Sequence, residues 1–139
     1  MNLARLVMLP VAASVFLTAA PFASAQSLDF ETYRTKVEPI FLKKRAPHAR
    51  CVVCHSNSNS AFRLQPLAKG AKAYSEEDSR KNFANVSNLV KPGNAKGSRL
   101  LIHPLAREAG GDLFHNGGRQ FASQTDPDWV AIASSVDKK

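Results

Sequence analysis

Apolar side chains recur at Phe30, Tyr33, Val37, Ile40 and Phe41, a spacing of three and four that lines them along one face of an α-helix. Asp29 stands where an N-cap is needed, so a helix is predicted over residues 29–43. Pro39 should kink or restart it, because proline lacks the N–H and crowds the preceding turn. A second stripe lies at the other end of the chain, where Trp129, Ile132 and Val136 share a face. Asp126 as N-cap and Pro127 at the first helical position predict a helix over residues 127–136. Between these two segments the pattern is poorer. Residues 56–88 are polar and rich in Ser and Asn, with apolar anchors at Phe62, Leu64, Leu67, Tyr74 and Phe83. Mostly loop is expected there, with one short helix near "SEEDSRKNF". "KPGN" at 91–94 reads as a turn, and "GSRLLIHP" as a short helix capped by Ser98 and ended before Pro104. "EAGGDLFHNGGRQF", with two Gly-Gly pairs, reads as an irregular loop.

The first 25 residues change the picture. "MNLARLVMLPVAASVFLTAAPFASA" has one early cation, an apolar run and a small-residue ending at Ala23-Ser24-Ala25. That pattern predicts a secretory signal peptide over residues 1–25, cut before Gln26. An uncleaved anchor is the competing reading, and the Ala-Ser-Ala ending favours cleavage. The expected product is periplasmic or secreted, bacterial, and without a membrane span. Removing 25 of 139 residues leaves 114, and only Arg5 among the charges is lost, so the formal +8 becomes +7. A single domain over residues 26–139 is expected, small enough to lean on a disulfide, a metal or a cofactor for part of its stability. Nucleic acid is not an expected partner of such an exported chain.

The chain's two cysteines both fall in "RCVVCH", at Cys51 and Cys54, with His55 directly behind. Three chemistries use such a pair. A redox dithiol needs a helix start after a strand in a βαβ chain, and almost no strand-like alternation surrounds the motif. A structural zinc site needs two further ligands from His48, His55, His103 or His115, and the last two, twelve apart, do not have zinc-finger spacing. The third reading is covalent haem c, in which Cys51 and Cys54 become thioethers and His55 is the proximal iron ligand. It uses every cysteine, which accounts for an exported chain with no disulfide framework.

Histidine paired with methionine raises the potential of such a haem, yet both methionines, Met1 and Met8, leave with the signal. The strong-field candidates for the distal iron position are therefore histidines, with an open or lysine-ligated iron as the further alternative. His48 is separated from His55 by too short a segment to reach the opposite haem face easily. His103 precedes Pro104 and reads equally well as a half-buried residue bonded to a carbonyl. His115 lies between two Gly-Gly pairs that let backbone approach a flat cofactor, and is the first choice, with His103 as the alternative.

The order "VEPIF…CVVCH…FRL…VKPGNAKGSRLL…HNGGRQF…DPDWVAIASSV", over residues 37–136, resembles the small single-haem cytochromes c of the planctomycete-type group. That resemblance implies an all-α, cytochrome c-like helical domain wrapped around one haem. Many members carry a Met-Pro-Pro-Gly-Gly segment whose methionine is the distal ligand, and His115-Asn116-Gly117-Gly118 stands in its place here. The implied function is single-electron transfer between redox partner proteins, with bis-histidine iron of low potential, rather than catalysis. Phe30, Tyr33 and Phe41 are expected to meet Trp129, Ile132 and Val136 across the helix pair. Lys43, Lys44, Arg45 and Arg50 are expected to surround the haem edge and steer an acidic partner. Two other readings stay open: a haem enzyme or gas sensor with a displaceable distal ligand, and the electron-accepting subunit of a dehydrogenase.

Overall fold

Proline at position 39 shapes the entry to the fold. In the computed structural model, which describes residues 28–56 and 58–138, the first helix opens at α1 (Phe30–Thr32). The Asp29 carboxylate caps it by accepting the Thr32 N–H at 2.7 Å. The chain then widens into a π-helical turn, Tyr33–Val37, and returns to α-geometry in α2 (Glu38–Leu42). The Glu38 N–H reaches back five residues to the Tyr33 carbonyl. The wider turn directly before Pro39 accommodates a ring that would crowd the carbonyl four residues earlier in an α-turn. The predicted kink is thus a π-turn within one continuous helical run. The predicted signal segment lies outside the described residues.

The remaining elements are α3 (Cys51–His55), α4 (Glu76–Ser87), α5 (Arg99–Ile102) and α6 (Pro127–Asp137), with 3-10 turns at Ala95–Gly97 and Arg107–Ala109. Among the described residues the β-structure is one isolated parallel bridge, Leu105 to Phe121, so the described chain is helical, as expected. None of its helices is long and apolar enough to cross a membrane. Asp126 caps α6 by accepting the Asp128 N–H at 3.0 Å. Ser98 sits at the N-cap of α5 but its hydroxyl does not cap it. Instead the hydroxyl accepts the Lys91 N–H and donates to the Asn94 carbonyl, tying the predicted 91–94 turn to the helix start.

One hydrophobic core gathers Tyr33, Val37, Ile40 and Phe41 from the first helical run with Trp129, Ile132 and Val136 from α6. Within the first helical run, the π-turn makes the main approach to α6. The ring-to-ring contacts, however, go to the poorly patterned middle of the chain. Phe30 and Tyr33 lie 5.4 and 5.2 Å from Phe83, and Phe41 lies 5.0 Å from Phe62.

Most of the departure from expectation is α4, which runs 12 residues where a short helix was predicted. Its buried positions are Ser79, Asn82 and Val86, so two of the three carry no apolar signal. They serve Glu38, itself 4% exposed. The Glu38 carboxyl accepts from Ser79 Oγ at 2.6 Å, Tyr33 Oη at 3.1 Å and Asn82 Nδ2 at 3.2 Å. Asn82 Oδ1 in turn accepts the Gln65 N–H at 2.7 Å. A second polar tie joins the segment ahead of α3 to α6. Arg45 is mostly buried between Asp126 and Asp128, donates from Nε to the Gln120 carbonyl at 3.0 Å, and covers the Phe121 ring.

Replacing Glu38 with Leu would strand three buried donors, each costing on the order of 1–3 kcal/mol. Chemical denaturation should register a loss of about 3 kcal/mol or more for Glu38→Leu and roughly 1 kcal/mol for Ser79→Ala. Equal, negligible losses for both would show that this network does not hold α4.

Candidate functional site

A cavity of about 390 Å³ opens beside α3, within the range of cofactor pockets. Its apolar lining comes from Ile40, Phe41, Leu100 and Ile132, and Cys51, Cys54, His55, His103 and His115 all face it. Every residue singled out from the motif and for the distal position is therefore on one wall or another of the same space. His48 is not part of the lining, but its ring rests against Gly118, in the loop that carries His115.

α3 begins at Cys51 after an extended Arg50, and its short length carries Cys51, Cys54 and His55 on little more than a single turn. Chain folding back from α3 fixes the ring. The Leu64 N–H donates to the His55 carbonyl at 3.1 Å, and His55 Nδ1 lies 2.7 Å from the Phe62 carbonyl oxygen. A carbonyl can only accept, so Nδ1 carries the proton and Nε2 keeps its lone pair.

His115 is held the same way. Its Nδ1 lies 2.5 Å from the Gly118 carbonyl oxygen, while the Gly118 N–H donates back to the His115 carbonyl at 3.0 Å. Glycine at 118 has a φ of +78°, and a Cβ there would meet His48 Nδ1 at 2.8 Å. The glycines thus close a turn around the imidazole, where the sequence suggested room for a flat ligand; Gly117 alone of that pair reaches the cavity. The loop's neck is closed by the Leu105–Phe121 bridge, with the Ala106 N–H on the Phe121 carbonyl at 2.8 Å. Gly111 packs so tightly on that neck that a Cβ would fall 2.0 Å from the Leu105 carbonyl oxygen.

The His55 and His115 ring centroids lie 6.4 Å apart, with the ring planes 27° from parallel. That is too far for direct stacking. Two metal–imidazole bonds of about 2 Å plus the inner halves of both rings span roughly 6 Å, so the gap suits one metal centre held from both sides. Donation of the second ring nitrogen to a carbonyl is the usual support of a metal-bound histidine. Burial pushes both imidazoles below the ordinary histidine range, partly opposed by the two carbonyl bonds. Both are therefore neutral at pH 7, as ligands must be. His103 stands edge-on to His115, 5.0 Å away, with Nδ1 2.8 Å from Asp112 Oδ2.

The rival chemistries fare less well. Burial, against a smaller pull from Arg45, pushes the Cys51 thiol up to about 11, whereas a reactive dithiol needs a lowered value. Among the described residues no strand precedes α3, and no group of three or more His, Cys, Asp or Glu side chains is arranged to hold a metal ion by itself. Two unprotonated imidazole nitrogens and two thiols beside an apolar cavity form a donor set that would fit a flat metal macrocycle. Of the four cations expected at its edge, Lys43 and Arg45 pair with Asp126 and Asp128 and Lys44 donates to the His48 carbonyl; Arg50 lines the cavity. Sequence reading missed Arg99 and Gln120, which also line it. Gln120 is 8% exposed, and its Oε1 has no hydrogen-bond partner among the described residues.

Gly118→Ala should cost more stability than Gly70→Ala. Both positions have positive φ, a strain of roughly 1–2 kcal/mol for a residue with Cβ, but Gly70 faces open space while Gly118 faces His48. Urea denaturation of both variants measures the difference, and equal losses would mean that His48 yields freely. Comparison of the chain with models of known families, with curated proteins and with solved structures found no match.

Proposed function

We propose that this chain is an exported single-haem cytochrome of c type that carries single electrons between redox partner proteins. The observation that carries the reading is the pair of imidazoles, His55 and His115, with centroids 6.4 Å apart at one cavity, each with Nδ1 given to a main-chain carbonyl and Nε2 unprotonated. Cys51 and Cys54 would hold the haem as thioethers, His55 would be the proximal ligand and His115 the distal one, with His103 as the alternative. Haem bound in this way supplies a one-electron iron couple. The protein's own contribution is to hold two neutral imidazoles in place, surround the ring with Ile40, Phe41, Leu100 and Ile132, and leave no position for substrate. Bis-histidine ligation favours a potential below that of histidine–methionine cytochromes.

The resemblance to the planctomycete-type group supports the same reading, with histidine at 115 where that group places methionine. The signal-like residues 1–25 support a periplasmic or secreted location. Charge steering of an acidic partner through Lys43 and Arg45 is disfavoured, since both are already paired.

Absorption and magnetic circular dichroism of the mature protein test the ligand set. Wild type should be six-coordinate and low-spin in both oxidation states, without a near-infrared sulfur band, and should bind carbon monoxide slowly. His115→Ala should turn high-spin and bind carbon monoxide rapidly, while His103→Ala stays low-spin. High-spin iron in wild type, or fast stoichiometric carbon monoxide binding, would favour the enzyme or sensor reading instead. Replacing Cys51 and Cys54 by Ala should abolish haem that survives denaturing gel electrophoresis; haem retained there would overturn the thioether assignment.

A further inference from the structure

The cavity mouth carries charge that nothing in the described protein neutralises. Arg50, one residue before Cys51, and Arg99, one helical turn before His103, both line the cavity and are both exposed. Among the described residues neither side chain makes a hydrogen bond or an ion pair; Arg63 and Arg107 are likewise unpaired but lie outside the cavity lining, whereas four other arginines are engaged. Arg45 sits between Asp126 and Asp128, Arg34 and Arg80 pair with Glu76, and Arg119 donates to the His103 and Asp112 carbonyls. No Asp or Glu lines the cavity. The wall thus combines an apolar interior, two unpaired guanidinium forks and the unpartnered Gln120 Oε1. A guanidinium fork matches a carboxylate bidentately, so the ligand that this wall recognises is apolar over most of its body and carries carboxylates at one end.

We propose that Arg50 and Arg99 bind the two propionate carboxylates of the haem, an assignment that rests on the haem reading above. The two cations keep the propionates ionised and so separate electron transfer at the iron from proton uptake at the haem edge. The remaining titratable groups on the wall are Cys51, Cys54, His55, His103 and His115, with Asp112 bonded to His103. A carboxylate beside a guanidinium resists protonation. Once the cation is gone, the carboxylate takes a proton more readily when the iron is reduced, because the reduced site carries one positive charge fewer. The midpoint potential then falls as pH rises.

Potentiometric titration of the holoprotein between about pH 5 and pH 8 tests this with wild type, Arg50→Gln/Arg99→Gln, Arg50→Lys/Arg99→Lys and Lys96→Gln. Lys96 is exposed and lies away from the cavity lining. Wild type and Lys96→Gln should give a nearly flat potential across that range. The double Gln variant should show a lower potential at neutral pH with a new pH slope, and the double Lys variant should restore most of the flatness. A double Gln curve that superimposes on wild type, or a Lys96→Gln curve that shifts as much, would overturn the assignment. The absorption spectrum of each variant keeps the two claims apart. Low-spin spectra with unchanged pH profiles sink the propionate assignment alone, and a high-spin wild type sinks the ligand reading on which it rests.

Discussion

The main-chain carbonyls of Phe62 and Gly118 hold the imidazoles of His55 and His115 in one tautomer and one orientation. The two histidines are far apart in sequence, so the site exists only if both carbonyls are delivered to the same cavity. Two loop devices deliver them. Chain after α3 folds back on the His55 carbonyl through Leu64, and the loop around His115 is pinned at its neck by the Leu105–Phe121 bridge. The small parallel bridge, the only β-feature among the described residues, therefore sets the reach of the loop that carries His115.

Buried polar groups carry out the longer-range positioning. Glu38 binds the first helical run to α4 through Ser79 and Asn82, and Arg45 binds the segment before α3 to the start of α6 through Asp126 and Asp128. Each tie works because every buried donor it uses meets an acceptor, which is the condition for a buried polar network to stabilise a fold instead of costing it. Between them they leave Ile40, Phe41, Leu100 and Ile132 facing the cavity. An apolar ring ligand would complete the burial of those side chains and supply the staple that so small a chain is expected to need. Charge is divided in the same way: cations that serve the fold are paired, and Arg50 and Arg99 at the cavity mouth are not.

Features written in contiguous residue types were legible before any coordinates. The helix ends at Asp29 and Asp126, the stripe of Trp129, Ile132 and Val136, the turn at 91–94 and the "RCVVCH" motif all follow from capping chemistry and short-range spacing. Absence of methionine after the predicted signal turned attention to the histidines, and the structure brings His115 to the cavity that Cys51, Cys54 and His55 line. α4 was legible only in part, because Ser79 and Asn82 are buried for hydrogen bonding and leave no apolar period to read. The basic run before the motif read as a docking face, yet two of its charges, Lys43 and Arg45, are paired with Asp126 and Asp128, more than 80 positions away.

By itself, then, the sequence determined which atoms could serve a site: two thiols, His55, a short set of further histidines, and helices able to frame them. Only tertiary structure decided which histidine comes close to His55, which carbonyls orient the pair, and which arginines remain unpaired at the mouth. Residue type and local spacing set what a side chain can do. Backbone carbonyls occur at every position, and ion pairs between remote segments leave no local pattern, so their choice becomes visible only once the chain has closed on itself.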